Sequence, residues 1–341
     1  MSRTVKLKSV KSKDVFKALK KGEVLFPMIG GYCILAFKRE ELLRRFGHAF
    51  RLLPANEILE DFKIFQGKPA VIIAEDEDGF SPAPSPLLNE LSNMAPAGLW
   101  FSILEPDEEI TDKNIVLRVE DDENGPGPTV VNFRFYPPVV EQKGKLGIFE
   151  LEEIIGKRVR IGPRVIFSIL VVCTGNSCRS PIAAALLKEA FKKERVIVTS
   201  AGTQAPVGSS PTKFAIEVAQ EMGVDVSGHR ARLLRPEMVE GADLVLVMEE
   251  RHKERVVEMV PEAEVKTKFL GGYPDIKREI PDPIGRSIEV YREVGLLMKA
   301  GVLRVVAELK ERLGKSLAPS EGIPPLADGS VGKTGAEGKG D

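Results

Sequence analysis

Between Val165 and Pro181 the chain reads Val-Ile-Phe-Ser-Ile-Leu-Val-Val-Cys-Thr-Gly-Asn-Ser-Cys-Arg-Ser-Pro, a segment that leaves the backbone few choices. The apolar run predicts a buried parallel strand over 165–172. It ends at Cys173, a short loop containing Gly175 follows, and Pro181 stands where a helix makes its first turn. Helix formers continue from Ile182 to Ala190. A strand, a tight loop and a helix N-terminus together make an anion site, because loop amides and the helix dipole converge on one point.

Cys173 and Arg179 bracket that loop. A loop of this length can curl around one phosphate, with Cys173 beneath the phosphorus and Arg179 forked onto two oxygens. The same field lowers a thiol pKa, so the expected species is a thiolate that accepts a phosphoryl group. The competing reading is a structural cysteine beside an ordinary strand-to-helix turn. The company of Gly175, Asn176, Arg179 and Ser180-Pro181 argues against it.

Downstream, strands are expected over 195–203, 242–248 and 265–270, alternating with helices over 211–222, from Glu249, and over 287–313. Alternation of this kind implies an α/β fold, here a four-stranded parallel sheet with helices on both faces and ligand at the strands' carboxyl ends. Ile280-Pro281-Asp282-Pro283-Ile284-Gly285 forms a loop ahead of the last helix.

Cys-Thr-Gly-Asn-Ser-Cys-Arg-Ser-Pro, followed in order by Ser-Ala-Gly-Thr at 200–203, Gly-His-Arg-Ala-Arg at 228–232 and Ala-Asp-Leu-Val-Leu-Val-Met at 242–248, resembles the low-molecular-weight protein tyrosine phosphatases. The resemblance covers roughly residues 165–313 and implies a phosphatase domain over 165–314. It implies hydrolysis of protein phosphotyrosine or phosphoarginine through a phosphocysteine, with a phosphorylated protein as partner and neither metal nor cofactor. Cys173 would be the nucleophile, Arg179 the oxyanion clamp and Asp282 the proton donor that later activates water. Thr174, Gly175, Asn176, Ser177, Cys178 and Ser180 would surround the phosphoryl group, with Asn176 holding the loop's shape and Ser180 stabilising the thiolate. His229 would brace Asn176 from behind, direct proton transfer being its other reading. Asp275, in Tyr273-Pro274-Asp275, is a second candidate for the acid.

Two positions bear on substrate. Tyrosine-specific relatives place Ile or Leu where Ser177 stands and an aromatic residue where Ile284 stands, whereas arginine phosphatases carry Thr at the first. The small hydroxyl of Ser177 and the apolar Ile284 therefore tilt the expectation toward phosphoarginine. Arsenate reduction, another use of this scaffold, needs resolving thiols beyond the loop, and no cysteine follows Cys178. A reversible Cys173–Cys178 disulfide would protect the nucleophile from over-oxidation.

Residues 1–164 predict a second, twisted α/β sheet. A helix is expected over 10–21 and strands near 24–35, 70–74 and 99–104. Pro27 to Ile34, Gln66-Gly67-Lys68-Pro69, Pro96 to Phe101 and Pro128-Thr129-Val130-Val131 fall in the order of motifs of the YrdC/YciO family, which this half resembles. The resemblance implies a closing helix over 151–157. Active members of that family make threonylcarbamoyl-AMP for tRNA modification. Here Met28 and Ile29 replace the motif's hydroxyl and acidic residues, and Gln66 and Lys68 replace its lysine and arginine. Lysine cannot reproduce the planar fork. The expectation is a catalytically degenerate module that serves as scaffold or binding unit. The alternative function for the whole chain is nucleotide or tRNA (double-stranded RNA) binding, or synthase-like activity, through this half. The first 50 residues, with 12 Lys and Arg against 4 Asp and Glu, read as a solvated basic face or an RNA-facing surface.

Net charge over all 341 residues is −1, so no overall field draws the chain to nucleic acid or membrane. Three cysteines form no disulfide framework, no apolar run approaches a membrane span, and residues 1–6 lack a signal-peptide core. A cytoplasmic protein is expected. Cys33 reads as core and His48 as surface, while the acidic run 75–78 reads as a solvated loop lacking the oxygen array of a metal site. The Gly-, Pro-, Ser- and Lys-rich segment 315–341 is expected to be disordered.

Overall fold

The computed structural model describes residues 3–6, 11–21, 23–28, 31–46, 49–53, 70–73, 80–82, 86–95, 99–103, 115–120 and 128–313. Ile29, Gln66 to Pro69, Pro96 to Gly98, His48, the acidic run 75–78 and the tail 315–341 lie outside these residues.

The N-terminal half contains β1 (Arg3–Lys6), α1 (Ser12–Leu19), β2 (Glu23–Met28), β3 (Gly31–Ala36), α2 (Arg39–Phe46), β4 (Phe50–Leu53), β5 (Ala70–Ile73) and β6 (Phe80–Pro82). It continues with α3 (Pro86–Asn93), β7 (Leu99–Ile103), β8 (Ile115–Glu120), β9 (Thr129–Asn132), β10 (Val139–Gln142), α4 (Ile148–Ile155) and β11 (Arg160–Ile161). Among the described residues these strands form one mixed sheet in the order β1-β8-β2-β3-β7-β4-β6-β5-β9-β10-β11. Hydrophobic spacing explains α1: Val15 and Leu19 are buried one turn apart while Lys13, Asp14 and Lys17 face water. They pack with Val24, Phe26, Leu35 and Phe101, and Cys33 belongs to the same core. Burial there pushes the Cys33 thiol up, as an inert structural cysteine requires. The closing helix forms one turn earlier than the 151–157 expected from sequence. Gly156 takes the left-handed conformation, φ 65°, and ends it.

Beyond residue 165 the elements are β12 (Phe167–Cys173), α5 (Arg179–Ala190), β13 (Val196–Gly202), α6 (Lys213–Glu221), α7 (Pro236–Glu240), β14 (Leu244–Val247), α8 (Glu250–Met259), β15 (Thr267–Phe269) and α9 (Ile288–Leu313). Their strands pair in parallel in the order β13-β12-β14-β15. Alternate residues of β12 serve opposite cores. Ile169 and Val171 pack with Ile182 and Leu187 of α5, Val218 of α6 and Met298 of α9. Leu170 and Val172 pack with Val239 of α7 and Val256 of α8. Because both faces are covered, the strand reads as an uninterrupted apolar run rather than an alternation. Helices lie on both faces, as the sequence predicts.

The two halves share apolar packing. Ile148, Leu151, Ile155, Val159 and Ile161 belong to one cluster with Phe167, Val305 and Leu309. Arg312, buried at the end of α9, donates from Nε to the Val159 carbonyl (3.2 Å) and from Nη2 to Glu152 of α4 (2.6 Å), and its Nη1 reaches Glu308 (3.4 Å). Burial pushes the Glu152 carboxyl up, against the opposing pull of Arg312. Removing the cation leaves two carboxylates in a poorly solvated pocket. Arg312→Met is therefore expected to destabilise the protein by about 3 kcal/mol. Chemical denaturation of the full chain measures this, and an unchanged midpoint would show the staple to be energetically idle.

Candidate active site

β12 delivers Cys173 to the carboxyl edge of the sheet, and six residues later α5 begins with Arg179. The strand is central, with β13 and β14 on either side, so its end is the most firmly placed point on that edge. Cys173 is 2% exposed. Its Sγ accepts the backbone N–H of Asn176 at 3.3 Å and lies 3.0 Å from Ser180 Oγ. Ser180 Oγ already accepts from Asn176 Nδ2 at 2.9 Å, which leaves its own proton for the sulfur; the other acceptor in reach, the Ala201 carbonyl, is 3.4 Å away. Donors aimed at sulfur stabilise negative charge there.

Asn176 shapes the loop. It is fully buried and left-handed, φ 49°, a region Asn tolerates better than most residues but still at a cost. Hydrogen bonds hold it there: Nδ2 donates to Ser180 Oγ and Ser200 Oγ, and Oδ1 accepts from the Arg232 amide at 2.9 Å. His229 Nε2 lies 2.9 Å from the Asn176 carbonyl and 3.1 Å from Oδ1. Both oxygens only accept, so the ring must carry its proton on Nε2. Burial, then the neighbouring Arg232, Lys188 and Arg230, push the His229 pKa down, against the bond to Asn176. Gly202 lets β13 approach the loop. A Cβ at that position would meet the Thr174 carbonyl at 2.5 Å and the Asn176 nitrogen at 2.8 Å.

Arg179 is 1% exposed, and both its terminal nitrogens are engaged. Nη1 is hydrogen-bonded to Glu249 and to the Ile280 carbonyl (3.0 Å), and Nη2 to Asp282 and to Thr174 Oγ1 (3.3 Å). Burial pushes the Glu249 carboxyl up, but hydrogen bonds from Arg179 and Arg251 outweigh it and hold the group below the usual carboxylate range. Asp282 reaches the guanidinium from the loop before α9, its Oδ1 accepting the Ile284 amide at 3.2 Å.

The structure thus brings together Cys173, Thr174, Gly175, Asn176, Ser177, Cys178, Arg179, Ser180, His229 and Asp282. Ser177 is half-buried, its carbonyl accepting the Thr212 amide at 3.0 Å. Ile284 is 51% exposed, on the same loop as Asp282. Asp275 is not brought in: its side chain is 73% exposed and pairs with Lys268 at 3.9 Å. Cys173 and Cys178 are both free thiols. Burial, then the neighbouring Cys173, push the Cys178 thiol up.

Glu249 and His252 escaped the sequence reading although both reach the loop. The available signal was positional. They follow β14 directly, at the same carboxyl edge where Cys173 follows β12.

Among the described residues no helix is long and apolar enough to cross a membrane. The family model for low molecular weight phosphotyrosine protein phosphatase matches residues 168–315. The low molecular weight protein-tyrosine-phosphatase Wzb of Escherichia coli (strain K12) is 42% identical over 132 residues, which are 39% of this chain and 88% of Wzb. Etp of the same strain, which bears the same description, is 41% identical over 134 residues, again 39% of this chain and 88% of Etp. The protein-arginine-phosphatase of Geobacillus stearothermophilus is 44% identical over 130 residues, 37% of this chain and 84% of that protein.

Proposed function

The chain belongs to the low molecular weight phosphotyrosine protein phosphatase family through residues 168–315, and from that premise we propose that Cys173 is the nucleophile of a phosphoprotein phosphatase. One observation carries the assignment of roles. A sulfur at the carboxyl end of a central strand accepts the Asn176 amide, lies 3.0 Å from Ser180, and shares its loop with a guanidinium whose fork is already spread between carboxylates.

Cys173 attacks phosphorus, forming an S–P bond as the bond to the leaving oxygen or nitrogen breaks. The incoming phosphoryl oxygens take the Arg179 N–H groups now held by Glu249 and Asp282. Asp282, freed from that pair and carrying a proton that enters with the substrate's phosphate monoanion or stays from the previous turnover, protonates the leaving atom. Water then attacks phosphorus and gives a proton to Asp282. The S–P bond breaks, inorganic phosphate leaves and the thiolate returns. Asn176, braced by His229, keeps the loop in the conformation that aims its amides at the anion, and Ser180 steadies charge on sulfur. Rapid quenching of a turnover with labelled phosphoprotein should trap label on Cys173. A kinetically competent reaction with no covalent label would overturn the scheme.

Phosphotyrosine and phosphoarginine proteins are the proposed substrates, since relatives carry both names. Ser177 offers a small polar wall and Ile284 no aromatic surface for stacking on a phenol ring, which supports phosphoarginine. Ser177→Ile is expected to raise the preference for phosphotyrosine over phosphoarginine by about tenfold, the worth of roughly one added apolar contact. Equal kcat/KM ratios in wild type and variant would remove the assignment.

The division at 164/165, and residues 1–164 as a degenerate YrdC/YciO-like scaffold, remain proposals that rest on the order of sequence motifs. No observation in the described residues favours a nucleotide or tRNA partner. A nucleophilic thiol that must stay reduced supports a reducing, cytoplasmic setting.

A further inference from the structure

His252 takes no part in the scheme above, yet its ring is buried at the start of α8 beside the loop. Its tautomer follows from its neighbours. Nδ1 lies 3.1 Å from the Glu249 backbone nitrogen, whose N–H can only donate, so Nδ1 is the acceptor and carries no proton. The proton of the neutral ring is therefore on Nε2, 2.9 Å from Thr174 Oγ1, and is donated there. Burial, then the charge of Arg179, push the His252 pKa down to about 4, against the pull of Glu249, so the ring is neutral at physiological pH.

Thr174 Oγ1 also accepts from Arg179 Nη2 at 3.3 Å. A hydroxyl has two acceptor lone pairs and one proton. With His252 and Arg179 on the lone pairs, the proton must be donated elsewhere, and none of the described residues supplies an acceptor. Thr174 is the residue after the nucleophile and is only half-buried. Its backbone is pinned as well, the carbonyl accepting the Gln204 amide at 2.9 Å.

We propose that Thr174 donates its hydroxyl proton to a non-bridging oxygen of the bound phosphoryl group, and that His252 is the positioning residue that turns the hydroxyl that way. This rests on the phosphatase reading of the site and adds a side-chain donor to it. His252 occupies one lone pair from a fixed direction and Arg179 the other. The hydroxyl is then committed as a donor before substrate arrives, without the reorganisation a free rotor would need.

A double-mutant cycle in the full-length chain tests this, with kcat/KM for p-nitrophenyl phosphate and calorimetric affinity for inorganic phosphate as readouts. Thr174→Val keeps the shape and removes the proton; Thr174→Ser keeps the proton. His252→Asn keeps a good acceptor for the Glu249 amide but is too short to reach Thr174. Thr174→Val is expected to lower both readouts about tenfold, the worth of one hydrogen bond to a charged group. Thr174→Ser should stay near wild type. His252→Asn should match Thr174→Val, and the double variant should be no worse than Thr174→Val alone. The proposal is overturned if Thr174→Val changes neither readout, if Thr174→Ser is as impaired as Thr174→Val, or if the two losses simply multiply. Should His252→Asn fail to fold by its thermal midpoint, the Val and Ser pair decides. A wild type inert toward phosphomonoesters sinks the phosphatase reading instead, and phosphate affinity still tests the donor.

Discussion

Replacing Cys173 by serine is expected to lower kcat for p-nitrophenyl phosphate by about ten-thousandfold or more, the usual cost of losing a nucleophile. The substitution changes one atom at a buried position, the end of β12, so the fold should survive it. The Asn176 amide and the Ser180 hydroxyl can still bond an oxygen, which keeps the loop closed. What disappears is the polarisable sulfur that attacks phosphorus and later leaves it; a serine hydroxyl with no adjacent general base is a far poorer nucleophile and leaving group. His229 turns its protonated Nε2 toward Asn176, so the nitrogen it presents to the loop has no lone pair with which to take a proton. Steady-state kinetics, with thermal unfolding as the control for folding, measure the effect. Residual activity within tenfold of wild type in a folded variant would mean that the sulfur is not the reacting atom.

How much of this site the sequence discloses depends on how local each part is. The strand, the loop and the start of α5 lie within seventeen residues, and each announces itself: an apolar run, a glycine, a proline at the helix start. The partners of Arg179 do not. Glu249 and Asp282 are 70 and 103 positions away, and only the parallel register of β12 with β14 sets the first beside the loop. A Met-Glu-Glu-Arg-His stretch reads as the charged start of a surface helix until the topology shows which edge it faces. Asp282 is favoured over Asp275 by the order of motifs alone, and the folded loop places only Asp282 of the two against Arg179.

The N-terminal half was legible as alternating elements but not as a packing arrangement. Its closing helix stops two residues short of the expected 157 because Gly156 turns left-handed there, a conformation the neighbouring residues do not announce. The apolar packing that joins α4 and β11 to α9 has no local signature either. Ile148, Leu151 and Ile155 are ordinary amphipathic spacing, and Arg312 reads as one more basic residue at a helix C-terminus until it is found buried against Glu152.

Arg179→Lys is expected to cost about a thousandfold in kcat/KM, as the loss of a preorganised oxyanion donor does elsewhere. Charge is retained, so the prediction isolates geometry. The guanidinium serves four partners from two nitrogens, one pair on each, while an ammonium presents a single centre that cannot span Glu249 and Asp282 together. Lysine at this buried position must choose, and the phosphoryl group that displaces those carboxylates would find one donor where the native chain offers a planar fork. Stability should fall much less than activity. Glu249 keeps Arg251 at 2.9 Å, so it is not abandoned, and Asp282 is partly open to water. A loss of about 1–2 kcal/mol is expected, below that for severing a fully buried pair. Kinetics, phosphate affinity and denaturation of the same variant separate the two effects. If Arg179→Lys keeps kcat/KM within fivefold of wild type while phosphate still binds, the fork is not what stabilises the transition state, and the paired carboxylates around it serve the fold alone.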